Sequence, residues 1–111
     1  MSAFELSIFT PLESRKLHVV SLGGDTEEGR FVVLVGHEPS VFALKNGLIF
    51  AVLSDGTKKK FFVEGAILRI QDKAYVLTAE TVLDVELIDE EFLKRYRDAE
   101  VVARVVKQME A

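Results

Sequence analysis

The chain has no cysteine and no tryptophan, only two histidines and two prolines, and no apolar run longer than Leu48–Leu53. Without cysteine there is no disulfide scaffold, no thiolate metal site and no cysteine nucleophile. His18 and His37 lie on different segments, and neither a His-x-x-x-His pair nor a Gly-x-Ser-x-Gly elbow occurs, so the usual metal-hydrolase and triad chemistries lack their parts. Six apolar residues fall far short of the roughly 20 that a spanning helix needs. The opening Met1-Ser2-Ala3-Phe4-Glu5 has neither a basic flank nor an apolar core, unlike a secretory signal. These absences lead us to expect a soluble, cytoplasmic-type protein that reaches a membrane only through partners.

What the chain does have is apolar mass. Its 111 residues are 49% hydrophobic, with a mean hydropathy of +0.20, which excludes a disordered linker and fits one domain with a small appended element. Acidic residues outnumber basic ones, 18 to 14, for a formal charge of -4. A phosphate-gripping protein usually carries the opposite balance, so nucleic acid is a poor default partner. Lys58-Lys59-Lys60-Phe61-Phe62 is the one stretch that could grip a strand, but lysines after a hairpin turn also protect an open edge.

Up to Leu87 the pattern is that of short strands. Phe4, Leu6 and Ile8 alternate with polar residues, Phe31–Val35 is a continuous apolar run between glycines, and Asp55-Gly56 marks a hairpin. Gly23-Gly24-Asp25 and the polar residues through Gly29 read as a long turn. Turn signals every 8 to 12 residues, with 15 valines and 8 phenylalanines, predict a mainly β fold, an antiparallel β-sandwich over residues 1–87.

Residues 88–111 change period. Phe92, Tyr96, Ala99, Val102 or Ala103, Val106 and Met109 recur at helical spacing, behind an N-cap at Asp89 and first-turn charges at Glu90 and Glu91. Glu91 with Arg95 and Glu100 with Arg104 are i,i+4 pairs. The spacing predicts a single C-terminal α-helix of about five turns. Val101, Val102, Val105 and Val106 put apolar side chains around more than one stripe. Such a helix is either wedged between surfaces or presents one side to a partner.

No other feature carries catalysis. Gly23-Gly24 lacks the Lys-Ser/Thr of a phosphate loop and is followed by acids, and those acids do not have calcium-loop spacing. Asp84, Glu86, Asp89, Glu90 and Glu91 are accounted for as charge at a helix start. No metal site and no cofactor is expected.

Gly29-Arg30-Phe31-Val32-Val33-Leu34-Val35-Gly36-His37-Glu38-Pro39 resembles the Gly-x-Phe-Gly-Val-Leu-Pro-Gly-His-Ala-Pro segment of the epsilon subunit of F-type ATP synthases. The Phe4–Pro11 opening, Ala43-Leu44-Lys45-Asn46-Gly47, Phe62-Val63-Glu64-Gly65 and Val76–Glu80 agree with that family in order, so the resemblance covers nearly the whole chain. It departs where Val32 and Val35 replace Gly and Pro, Glu38 replaces Ala, and Ala66 replaces Gly.

The resemblance implies a non-catalytic subunit of the central rotor stalk that binds the gamma subunit and the c-ring. Such a subunit helps couple ATP synthesis or hydrolysis to proton or sodium transport. It implies a peripheral place on the cytoplasmic side of the inner (plasma) membrane. By position, Arg30, Phe31, Gly36, His37, Glu38 and Pro39 are implied to face the c-ring, and Val41 and Phe42 to face gamma. From the breadth of their apolar surface, Val101, Val102, Val105 and Val106 are expected to be the partner-facing residues of the helix. Some family members bind ATP through Ile/Leu-Asp-x-x-Arg. Here Ile88-Asp89-Glu90-Glu91-Phe92 is only a partial motif, so no nucleotide site is expected. The family's C-terminal two-helix hairpin is expected to be reduced to one helix. The tail Glu91–Arg97 is also similar to epsilon subunits of alternative, sodium-linked bacterial ATPases. The competing reading is a free-standing β-sandwich module that binds a small ligand or nucleotide.

Overall fold

Alternating burial along Phe4–Phe9 sets β1: Phe4, Leu6 and Ile8 point inward while Glu5, Ser7 and Phe9 point outward. The computed structural model describes residues 2–111, so Met1, the first residue of the segment read for a signal, lies outside the described residues. Eight further strands follow: β2 (Ser14–Thr26), β3 (Gly29–Leu34), β4 (Ser40–Ala43), β5 (Gly47–Leu53), β6 (Lys58–Glu64), β7 (Ile67–Gln71), β8 (Ala74–Thr78) and β9 (Thr81–Asp84). A short 3-10 turn, Val85–Leu87, leads into α1 (Glu90–Arg95) and α2 (Ala99–Met109).

The strands pair in the order β4-β7-β8-β1-β2-β5-β6-β9, with β3 on β2 beyond the end of β1. The 13-residue β2 serves both layers. A register shift between Val19 and Ser21 buries Val19 and Val20 in succession and reverses which residues point inward. The first layer is β4, β7, β8, β1 and the start of β2. The second is β3, the end of β2, β5, β6 and β9. Their inner faces meet in a core of Leu6, Ile8, Val19, Leu22, Val33, Ile49, Phe61, Val63, Leu68 and Leu77. Each such side chain contributes about 1.5–3 kcal/mol when fully buried. Every pair is antiparallel except β1 with β8, which is parallel.

Three local expectations are corrected. Gly23 and Gly24 are not in a turn but inside β2, and the turn is confined to Glu27-Glu28. A Cβ on Gly24 would stand 3.1 Å from both the Phe31 ring and Ile49, so glycine here permits close packing. The single helix is two: the chain leaves α1 at Tyr96, which has extended backbone, and re-enters at Asp98, whose carboxylate accepts from the Glu100 and Val101 amides. Asp98 offered the same capping signal as Asp89, masked by continuous apolar spacing. Finally, Arg104 does not pair with Glu100 but donates to the Asn46 carbonyl at 2.6 Å. The Glu91–Arg95 pair is formed, at 3.0 Å.

Candidate functional site

The loop after β3 is tied to the body of the sandwich by Tyr75. Its hydroxyl donates to the Leu34 carbonyl at 2.9 Å and accepts from the His37 amide at 3.2 Å. The Tyr75 ring stacks on Phe4 with centroids 3.9 Å apart, so a rigid aromatic pair fixes where Gly36–Pro39 emerges. Gly36 takes a positive φ of 80°, which lets the chain reverse there. His37 Nδ1 lies 2.8 Å from the Glu38 carbonyl, and the imidazole meets the Phe42 ring edge-on at 5.9 Å. A cleft of about 680 Å³ opens beside this loop, lined by Phe4, Glu5, Val35, His37, Asp72 and Tyr75 among others.

The structure divides the residues expected to face the c-ring. Gly36, His37, Glu38 and Pro39 form one loop, but Arg30 stands at the other end of β3, on the order of 15–20 Å away at the rise of a strand. Arg30 donates to Asp25 at 3.3 Å and lies over the Phe50 ring. Phe31 faces nothing outside: it is 9% exposed and stacks on Phe42 at 4.7 Å inside the sandwich. Its place in a period-2 strand, opposite in face to Arg30, carried that information. Val41 is 67% exposed on the outer face of the first layer, whereas Phe42 points into the core.

The helix residues are corrected in part. Val101 and Val105 do not face a partner; they are buried on this chain's own Leu48 and Phe62, Val105 to 1% exposure. Val106 is exposed and Val102 half-buried. Val101, Val105 and Met109 along α2 share one cluster with the α1 aromatics Phe92 and Tyr96. Phe92, at the position of the nucleotide motif's arginine, meets Phe62 edge-on at 5.4 Å and stacks on Tyr96. Asp89 caps α1 by accepting from the Phe92 amide at 2.9 Å.

Polar residues that no motif marked hold the helices down. Gln108, buried on α2, bonds both the amide and the carbonyl of Leu48 and donates to Asp25 at 3.0 Å. Lys60 donates to the carbonyls of Gln108, Met109 and Ala111, where the helix dipole is negative. The Tyr96 hydroxyl donates to Glu64, and burial, then that hydrogen bond, pushes its pKa up to about 12. Among the described residues no group of three or more His, Asp or Glu side chains is placed to hold a metal. Among the described residues no helix is long and apolar enough to cross a membrane.

The fold is thus a two-layer β-sandwich with two capped helices packed on one outer face. Residues 3–85 match the family model described as ATP synthase, Delta/Epsilon chain, beta-sandwich domain, and the chain belongs to that family. It is 33% identical over 100 residues to the ATP synthase epsilon chain of Wolbachia pipientis subsp. Culex pipiens (strain wPip), covering 87% of this chain and 88% of that one. It is 29% identical over 92 residues to the ATP synthase epsilon chain of Nitrobacter winogradskyi, covering 80% of this chain and 66% of that one. Epsilon chains are structural and regulatory subunits, not catalytic by themselves.

Two solved structures share the fold. A chain in the Euglena gracilis mitochondrial ATP synthase, OSCP/F1/c-ring, superposes with a TM-score of 0.79 at 20% identity, covering 99% of this chain and 81% of that one. A chain in the Tetrahymena thermophila mitochondrial ATP synthase central stalk/c-ring gives 0.66 at 12% identity, covering 96% and 90%.

Proposed function

We propose that this chain is the epsilon subunit of the central rotor stalk of an F-type ATP synthase, docked on the gamma subunit and on the c-ring at the cytoplasmic side of the membrane. It helps transmit rotation between ion flow and ATP synthesis or hydrolysis. The observation that carries this reading is the family match across residues 3–85, in a chain whose α1 and α2 pack on the second layer.

Pro39 and Val41 line one shallow groove with Arg69 and Gln71, which makes the end of the Gly36–Pro39 loop and Val41 one continuous surface and supports assigning both to gamma. The exposed, charged turn from Glu27 to Arg30, at the opposite end of β3, fits the polar loops of a c-ring better than the Gly36–Pro39 loop does. The test is purification of the complex through a tag on this chain. Gamma-type and c-type subunits in stoichiometric amounts support the reading; recovery of the chain alone overturns it.

A further inference from the structure

One turn of the sandwich departs from the rest. β7 and β8 are joined by Asp72-Lys73, closed by the Gln71–Ala74 pair, and both central residues are left-handed, with φ of 49° and 68°. This is the pattern of a type I′ turn, whose second place normally takes glycine. Every other positive φ among the described residues belongs to a glycine, including Gly56 in the Asp55-Gly56 turn between β5 and β6. Asp72 needs no special account, because a short polar side chain tolerates this backbone. Lys73 has no such local compensation.

No contact inside the chain explains the lysine either. Lys73 is exposed and enters none of the ion pairs of the described residues. Glu5, which lines the same cleft, faces Lys16 at 3.7 Å and His18 at 3.8 Å instead. Disfavoured backbone that persists without a local return is concentrated where a protein meets its ligands.

The position of the turn supplies the partner. Lys73 lines the cleft of about 680 Å³ together with His37, Glu38 and Pro39, and Asp72 also lines the groove of Pro39, Val41 and Arg69. Tyr75, two residues further along, bonds both Leu34 and His37, so the turn and the Gly36–Pro39 loop belong to one rigid block. Lys73 is the one lysine or arginine that lines the cleft.

We propose that Lys73 is a specificity-determining residue of the gamma-docking surface, its ammonium donating to oxygen atoms of the gamma segment that lies along the Gly36–Pro39 loop. The inference rests on the functional reading in assigning that loop to gamma. It adds the β7–β8 turn to the surface and explains why glycine is absent from the one place where the backbone asks for it.

The test is binding of the whole chain to its cognate gamma subunit, with the melting temperature measured alongside. Lys73→Gly should raise the melting temperature by about 4 °C, because glycine takes a left-handed φ freely. The same variant should bind gamma at least about fivefold more weakly. Stability and affinity then move in opposite directions, which a merely structural role does not produce. Lys73→Arg keeps a cationic donor and should bind within about twofold of the wild-type chain. Lys73→Gly binding as tightly as wild type, Lys73→Gly melting no higher, or Lys73→Arg losing as much affinity as Lys73→Gly would each overturn the proposal and leave the functional reading standing. Absence of binding by the wild-type chain overturns both.

Discussion

Gln108 closes both hydrogen bonds of Leu48: its Oε1 accepts from the Leu48 amide at 2.8 Å and its Nε2 donates to the Leu48 carbonyl at 3.2 Å. One side chain of α2 thus stands where a neighbouring strand's backbone would, satisfying a buried residue of β5. The adjacent Gly47 makes room for it. With φ at 148°, Gly47 has its missing Cβ pointing at Gln108 Oε1, only 2.9 Å away.

Removing that side chain leaves two buried backbone groups short of partners. Gln108→Ala should cost about 2–3 kcal/mol of stability. Amide exchange across α2 should rise with it. Native exchange in the variant would show that the helix is held by its valines alone.

Gly47→Ala tests the same contact from the strand side. The new methyl needs a disfavoured φ and displaces Gln108 and Arg104, at a cost of about 2 kcal/mol. For a chain of this size that is a melting-temperature loss on the order of 10 °C. Gly29→Ala is the contrast: φ there is also positive, but nothing stands within 4 Å, so only the backbone cost applies.

Tyr96 gives a pH signature. Its folded pKa, raised by burial and by Glu64 to about 12, exceeds the unfolded value of 10, so its contribution is fully present below pH 10 and is lost as pH rises from 10 to 12. Carbon-13 NMR of the tyrosine rings should show Tyr96 titrating near 12. Tyr96→Phe should flatten stability in that interval. A midpoint for Tyr96 at 10 would contradict the Glu64 contact.

Phe92 occupies the place where the nucleotide motif needs an arginine, and its ring is committed to Phe62 and Tyr96. Calorimetry with ATP should therefore detect no binding below about 1 mM, about 4 kcal/mol. Micromolar binding would favour the small-ligand reading instead.

Much of the fold was legible because one period rules most strands. Phe4, Leu6 and Ile8 alternate in sequence and in burial, and Asp55-Gly56 turns where its chemistry requires. Three features were hidden. The break at Tyr96–Asp98 lies under unbroken apolar spacing, Gly23-Gly24 looks alike in a turn and in a close-packed strand, and Gln108 at a helix end carries no motif. The site was legible as a loop sequence, from Gly36 to Pro39. Its membership was not, because distance along β3 separates Arg30 from it and strand alternation turns Phe31 inward. Val101 and Val105 failed as partner-facing residues for a related reason: their partners, Leu48 and Phe62, are over 35 residues away in sequence.

The most direct measurement is the affinity of the whole chain for its cognate gamma subunit, compared with Val41→Asp. Val41 is exposed and its side chain is outside the core, so the variant should fold with unchanged stability. The wild-type chain should bind gamma at or below micromolar concentration, and Val41→Asp should bind at least tenfold more weakly. Absence of binding by the wild-type chain at micromolar concentration would contradict the central claim.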